Sequence, residues 1–256
     1  MNVAVLPIDR EEIINKLYTA CRTCYNGGSP IEMFENIDDI DEAKKLKLLK
    51  HVLDSKHMSV LEHVSITVII EGVSRALTHQ LVRHRVASYS QASQRYITFK
   101  DGVFDYVTPP SIREADGAPV LYESAMKYLS TVYDQLIKFG VPAEDARMVL
   151  PNACCSNITM TVNLRELIHQ CNERLCTCAQ WEIRALFREI VNQVVKSYVL
   201  DFLKPYLQPK CVRDGYCSES AQRTCGRMRL RGEVIKGEGD KLPRMEGEAE
   251  KQTTSS

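Results

Sequence analysis

The chain has 256 residues, of which 44% are apolar, so it is long enough to bury the core of one large domain or two small ones. Its 33 Lys and Arg residues equal its 33 Asp and Glu residues in number, so no overall charge attracts nucleic acid or an acidic membrane surface. No apolar run reaches the roughly 18 to 20 residues of a membrane helix, and the N-terminus lacks the basic region of a signal peptide.

The first half of the chain mixes strands and helices. The N-terminus is expected to form a first strand, and apolar spacing predicts helices over residues 10–25 and 41–53. A nearly continuous β-branched run over residues 65–72 predicts a buried strand. A helix is expected to follow it, from about residue 74 to residue 83.

The second half continues the mixture, with a further strand over residues 156–162. Asn163 and Glu166 then form a capping-box pattern that predicts the start of a helix. Residues 104–109 are expected to be extended. The other helices are predicted over residues 122–139, from Pro142 to Pro151, and over residues 180–203.

This irregular order favours an α+β fold over a doubly wound parallel sheet. Residues 1–207 are expected to form one domain, followed by a Cys- and Arg-rich extension over residues 208–231. Residues 232–256 are rich in Gly, Glu and Lys and show no periodicity, so they are expected to be a disordered tail.

Residues 83–95, RHRVASYSQASQR, concentrate cations, serines and amides with no acidic residue among them. Arginine forks and serine hydroxyls suit a phosphate, so the segment predicts an anion site. The cations at residues 83–85 also suit the end of a helix for dipole reasons alone. The polar remainder, from Ser88 to Arg95, is expected to be a loop.

The same segment carries a family signature. Arg83-His84-Arg85, seven residues and Ser93 match the signature of the flavin-dependent thymidylate synthases. Gln80 also stands where that family has a glutamine, and the sequence resembles the family over about residues 1–205. The blocks that agree, in order, are HMSVLEHV at 57–64, ARMVLP at 146–151, TVNLREL at 161–167 and AQWEI at 179–183.

The resemblance implies a single α+β domain with a mixed, mainly antiparallel sheet and flanking helices. It implies methylation of dUMP to dTMP through bound FAD, with methylenetetrahydrofolate as carbon donor and NADPH as reductant. It also implies a homotetramer whose active sites are shared between subunits. Neither a metal, a membrane nor a nucleic acid is expected as a partner.

The resemblance also assigns residues, and Arg174 matches the one that favours an ionised uracil N3. Gln91 stands where a common version of the motif has Glu, and Cys178 where some members have a flavin-contacting His. The positions that match flavin contacts are Ser59, Arg83, His84, Arg85, Val86, Gln91, Asn163, Leu164, Arg165 and His169. The positions that match nucleotide contacts are Gln80, Leu81, Val82, Arg83, Gln91, Ala92, Ser93, Gln94, Arg95, Arg147 and Arg174.

Other interpretations of these residues stay open from the residues alone. Ser93 is interpreted as a phosphate or ring contact rather than a nucleophile, because no neighbouring base is visible in the sequence. Asn163 can be a helix cap, a ligand contact or both. The whole chain can alternatively be a nucleotide- or RNA-binding protein without chemistry, or a flavoprotein oxidoreductase that does not methylate.

The ten cysteines are scattered, which favours reduced thiols in a cytoplasmic protein. Cys21 and Cys24 lie within a predicted amphipathic helix, so core or surface thiols are favoured over a redox pair. The three in the extension, Cys211, Cys217 and Cys225, lack the spacing of a known zinc finger.

Overall fold

The computed structural model describes residues 1–99, 103–198 and 200–237. Its contacts divide the chain into two compact units, Met1–Pro209 and the residues from Lys210 onward. The sequence placed the end of the first domain at residue 207, two residues before this division.

A four-stranded antiparallel sheet lies at the centre of the first unit, with strand order β1-β2-β4-β3. Its strands are β1 (Asn2–Val5), β2 (Ser65–Ser74), β3 (Ala87–Gln91) and β4 (Cys155–Asn163). Alternate residues of β4, such as Ile158, Met160 and Val162, are buried, as expected for a sheet with one face on the core. The predicted mainly antiparallel sheet is confirmed.

The helices that flank the sheet in this unit begin at side-chain caps in several cases. Asp9, Ser74, Asn163 and Gln180 each accept hydrogen bonds from backbone N–H groups of the following turn. The helices are α1 (Arg10–Tyr25), α2 (Pro30–Glu35), α3 (Glu42–Asp54), α4 (Arg75–Leu81), α5 (Pro110–Glu114), α6 (Ala118–Lys138), α7 (Ala143–Ala146), α8 (Leu164–Arg174) and α9 (Trp181–Asn192).

The core lies between the sheet and the helices that cover it. Leu17 of α1, Val68 of β2 and Phe187 of α9 are fully buried members of its main hydrophobic cluster. A smaller buried cluster contains Phe104, Met126 and Cys154. A 3-10 helix, Met58–His63, leads into β2. The short helices α2 and α5 were not predicted, because each is too brief to show a helical period.

The loop predicted from Ser88 to Arg95 is wrong in its first half, where the structure has β3. This edge strand pairs with β4, from Ala87 opposite Val162 to Gln91 opposite Ile158. Its polar residues Ser88 and Ser90 are exposed. A polar edge strand lacks the apolar alternation by which strands are predicted, so the pairing with β4 decides its structure.

The single helix predicted over residues 180–203 is also wrong. α9 ends at Asn192 and a π-helical turn, Gln193–Ser197, follows. The Gln193 side chain accepts a hydrogen bond from Val5 N at 2.9 Å and donates one to Val3 O at 2.6 Å. The change from α-helix to π-helix therefore occurs at Gln193, the residue that is hydrogen-bonded to β1.

The second unit contains the helices α10 (Lys210–Asp214) and α11 (Arg231–Gly237). Between them, Cys217 is buried and pairs with Leu230 through an isolated parallel bridge. α11 occupies the start of the predicted disordered tail, and the Glu233 carboxylate accepts the Leu230 N–H at its first turn. The rest of that tail prediction concerns residues 238–256, which lie outside the described residues.

Within the described residues, none of the helices combines the length and the apolar character needed to cross a membrane.

A buried carboxylate fixes the junction between β2 and α4. Glu182 of α9 accepts hydrogen bonds from the Ser74 backbone N–H at 2.8 Å and from the Ser74 hydroxyl at 2.5 Å. The Ser74 hydroxyl oxygen in turn caps α4 by accepting the Leu77 N–H. Glu182 therefore sets where α4 begins and, through α4, the position of the residues that follow it.

We predict that Glu182→Ala lowers the free energy of unfolding by about 2 to 4 kcal/mol, because it leaves buried donors of Ser74 without an acceptor. Urea unfolding of the purified protein measures the change. Glu123→Ala, which removes a surface ion pair with Lys127, is the control and should change stability little. Equal effects of the two substitutions would contradict the structural role given to Glu182.

Candidate active site

The turn after α4 separates the Arg-His-Arg motif into exposed and buried side chains. Arg83 and Arg85 are exposed, whereas His84 between them has only 8% of its surface exposed. The His84 ring packs 6.5 Å from the Phe187 ring and 6.0 Å from the His169 ring, measured between centroids. The motif thus offers two arginines to solvent and one imidazole to the interior.

Arg174, at the end of α8, donates hydrogen bonds to two acceptors at this turn. Its Nε lies 2.9 Å from His84 Nε2, and its Nη2 lies 3.3 Å from the carbonyl oxygen of Gln80. Since a guanidinium can only donate, His84 Nε2 must present a lone pair. A neutral His84 then carries its proton on Nδ1, which lies 3.5 Å from Glu166 Oε1.

Burial is the main cause that lowers the pKa of His84, from 6.5 to about 4, and the Arg174 charge and His169 lower it further. His84 is therefore neutral at physiological pH. Burial also lowers the pKa of Arg174 from its ordinary value, but a guanidinium stays charged in proteins. The arrangement presents a fixed cation beside a neutral imidazole.

A cleft of about 480 Å³ brings together residues from both halves of the chain. Val86 lies in it with Asn163, Arg165 and His169, so four of the predicted flavin contacts share one cavity. Arg165 pairs with Glu62, which also lines the cleft. An apolar side chain among cationic and imidazole donors fits a planar, electron-rich ring with an anionic tail.

Asn163 also caps helix α8. Its Oδ1 accepts the backbone N–H of Glu166 at 2.9 Å, which confirms the predicted helix cap. Asn163 therefore holds the start of α8 at the wall of the cleft.

Ser59 lies in a neighbouring cleft of about 400 Å³, where Arg165 again forms part of the lining. His57 and Tyr25 lie in the same cleft, and the Tyr25 hydroxyl is 3.3 Å from His57 Nδ1. Arg165 therefore connects Ser59 with the other predicted flavin contacts.

Gln94 and Arg147 meet in a separate cleft of about 310 Å³ whose lining includes Arg75 and His79. Sequence reasoning missed Arg75 and His79. The signal was present, because residues four apart on α4 share one helix face. Together these side chains form a basic surface suited to an anion.

Ala92, Ser93 and Gln94 line a fourth cleft, of about 450 Å³. Arg95 beside them is exposed, and its Nε and Nη2 lie 2.9 and 2.8 Å from the Glu144 carboxylate. Arg147 donates from its Nε to the backbone carbonyl of Glu144 at 3.0 Å. Glu144, which the sequence did not indicate as a site residue, thus bonds to two of the predicted nucleotide contacts, Arg95 and Arg147.

Comparison with known proteins identifies the family. A family model described as thymidylate synthase complementing protein matches residues 9–198. The chain is 44% identical over 231 residues to the flavin-dependent thymidylate synthase of Nitratidesulfovibrio vulgaris, covering 86% of this chain and 92% of that one. The chain belongs to the flavin-dependent thymidylate synthase family. The Geobacter sulfurreducens relative of the same name is 44% identical over 208 residues, 81% of this chain and 87% of that one.

A solved structure shows the same fold. The UMP/dUMP methylase PolB from Streptomyces cacaoi, bound with 5-Br dUMP, matches with a TM-score of 0.64 over 79% of this chain and 95% of that chain. Its sequence identity is 20%, so this likeness concerns the fold alone. It confirms the α+β fold expected of a flavin-dependent thymidylate synthase.

Three residues predicted from the family motifs have side chains engaged elsewhere. Leu81 and Leu164 are fully buried in the core, so neither offers side-chain surface to a ligand. The Gln91 amide donates to the Thr78 hydroxyl at 3.1 Å and to the Ser156 hydroxyl at 3.0 Å. Gln91 therefore links β3 to α4 and β4. The side chain of Val82, another predicted nucleotide contact, is 38% exposed and so remains accessible to a ligand.

The lowered pKa of His84 predicts a pH dependence of stability. In the unfolded chain His84 is protonated below about pH 6.5, whereas in the folded chain it is protonated only below about pH 4. The contribution of neutral His84 is therefore complete above pH 6.5 and is lost as the pH falls towards 4. Urea unfolding between pH 7.5 and about 4.5 measures it, with His84→Gln as the variant that cannot titrate. Parallel pH curves for the two proteins would contradict the shift.

Proposed function

We propose that this protein methylates dUMP to dTMP, using methylenetetrahydrofolate as carbon donor and NADPH as reductant through bound FAD. The observation that carries the proposal is the Arg174 guanidinium, held by His84 and the Gln80 carbonyl within a chain of this family. A uracil ring that gains negative charge at N3 and O2 needs such a fixed cation.

The flavin would be held by the cleft that Val86, Asn163, Arg165 and His169 line, with Arg83 and Arg85 exposed at the preceding turn. When bound, the flavin supplies hydride chemistry that amino-acid side chains cannot supply. The protein supplies cations for an anionic tail, the imidazole of His169 and the apolar surface of Val86. Ser59 would extend this contact surface past Arg165.

The nucleotide phosphate would be bound by Arg95, Arg147 and Ser93, two arginine forks and one hydroxyl. The neighbouring PolB structure was solved with 5-Br dUMP, which supports a uracil nucleotide as the ligand of this fold. Ser93 Oγ accepts the Arg95 N–H at 3.3 Å. In the described part of the chain, no imidazole or carboxylate is hydrogen-bonded to Ser93, which supports a contact role over a nucleophilic one.

We also propose a homotetramer with shared active sites, in the cytoplasm. Exposed apolar side chains support association, among them Val120 and Leu121 on α6 and Met148 after α7. The ten scattered cysteines support a reducing compartment. Light scattering that gives four times the chain mass would support the tetramer, and a monomer would exclude shared sites.

The visible spectrum of the purified protein is the first test of the proposed function. Flavin bands that bleach on addition of NADPH, followed by dTMP formation from dUMP and methylenetetrahydrofolate, are expected. A protein that stays colourless after FAD is added would overturn the proposal. Bleaching without dTMP would favour a flavoprotein oxidoreductase that does not methylate.

We predict that Arg174→Ala keeps bound flavin but lowers kcat for dTMP formation by about 100- to 1,000-fold, the cost of removing one fixed electrostatic group. Steady-state kinetics and the flavin absorbance per chain measure the two effects separately. Arg188→Ala, which removes an exposed arginine of α9, is the matched control and should retain wild-type rates. Full activity of Arg174→Ala would exclude the role given to this residue.

We predict that Ser93→Ala raises the KM for dUMP about 10- to 100-fold while turnover at saturation persists, because one hydrogen bond to a charged phosphate is lost. Initial rates over a range of dUMP concentrations measure both quantities. Loss of turnover with dUMP affinity intact would instead favour a nucleophilic serine.

A further inference from the structure

We propose that Glu166 is a positioning residue for the reaction. Its carboxylate holds the Arg174 guanidinium in place through the imidazole of His84. Glu166 and Arg174 lie eight residues apart on α8, and the His84 side chain touches both. The inference rests on the proposed function, since Arg174 is the cation of that reaction.

The direction of the contacts carries the argument. A neutral imidazole has one N–H and one lone pair, and either nitrogen can hold the proton. With the proton on Nε2, His84 would point a donor at the Nε–H of Arg174. The Glu166 carboxylate, which can only accept, favours the proton on Nδ1 and so turns the lone pair of Nε2 towards Arg174.

Glu166 is itself held in place. Its backbone N–H donates to the cap residue Asn163, and its Oε1 accepts the Gln170 amide at 3.4 Å. Gln170 has no exposed surface, and the Glu166 side chain is only 11% exposed. The carboxylate therefore has few alternative positions and little contact with water.

A metal ion is the competing explanation, because ligand atoms of His84, Glu166 and His169 lie within 4.8 Å of one another. The contacts of His84 argue against it. His84 Nε2 already accepts a hydrogen bond from Arg174, and the tautomer that this bond requires carries its proton on Nδ1, so His84 has no lone pair left for a metal. The Arg174 charge beside the ring opposes a second cation.

These contacts fix the orientation of the Arg174 guanidinium. Two of its donors are engaged, Nε with His84 and Nη2 with the Gln80 carbonyl, which leaves the outer edge of the fork available for a ligand. If His84 took the other tautomer, the Nε contact would become a clash of donors and the guanidinium would turn away. A displacement of a positioned group by about 1 Å can cost about 100-fold in rate.

The first experiment compares Glu166→Ala with Glu166→Gln in the FAD-loaded enzyme. We expect Glu166→Ala to lower kcat/KM for dUMP about 10- to 100-fold. Glu166→Gln keeps an oxygen acceptor for Nδ1 and should recover most of this loss. Glu173→Gln, which removes an exposed negative charge beside Arg174 without reaching His84, is the control and should change the rate by less than about twofold. An equal loss in all three would overturn the proposal.

A double-mutant cycle separates positioning from general damage to the fold. Arg174→Lys keeps a positive charge but has no guanidinium Nε–H to donate to His84. In that background Glu166→Ala should have almost no further effect, since its action passes through the missing contact. The same 10- to 100-fold loss in both backgrounds would mean that Glu166 acts independently of Arg174.

A readout that needs no turnover distinguishes failure of this inference from failure of the proposed function. Nitrogen-15 NMR of histidine-labelled protein, with His84→Gln to assign the signal, reports which ring nitrogen holds the proton. We expect Nδ1 in the wild type and a mixture of both tautomers in Glu166→Ala. If His84 of the wild type is protonated on Nε2, this inference is overturned, even if the enzyme makes dTMP. If His84 is protonated on Nδ1 but the protein makes no dTMP, only the proposed function is rejected.

Discussion

The antiparallel pairing of β2 with β4 is the constraint on which the site depends. Because β4 runs opposite to β2, α4 and α8 begin at opposite ends of the sheet, after Ser74 and Asn163. The chain leaves α4 and enters β3 at Ala87, directly opposite Val162. The Arg-His-Arg turn therefore lies at the end of the sheet where α8 starts. This turn and α8, which are about 80 residues apart in the chain, form one candidate site.

Charge at this junction is arranged so that the buried group is the neutral one. His84 lies between the Glu166 carboxylate and the Arg174 guanidinium, yet its low pKa keeps it uncharged at physiological pH. A third charge in this half-buried space would need its own counterion, whereas a neutral ring can donate to the acid and accept from the cation. The exposed Arg83 and Arg85 carry their charges where water or a ligand can compensate them.

The sequence predicted the parts of the site that depend on local pattern. The cap at Asn163 followed from its spacing to Glu166, and the start of α8 followed with it. It could not predict β3, because Ser88 and Ser90 become strand only by pairing with β4. Nor could it predict Glu144 or the contact of Glu166 with His84, since both join residues about 50 to 80 positions apart in the chain. Long-range pairing has no signature in a local pattern.

In the proposed function, the position of Glu144 makes phosphate binding at Arg95 an exchange of one anion for another. Arg95 is half exposed and already paired with the Glu144 carboxylate, and an exposed pair of this kind contributes little to stability. A dianionic phosphate can therefore replace the carboxylate at Arg95 at small cost, because it forms charge-assisted hydrogen bonds of the same kind. Arg147 bonds to the backbone carbonyl of Glu144 rather than to its carboxylate, so it keeps its place when that side chain moves.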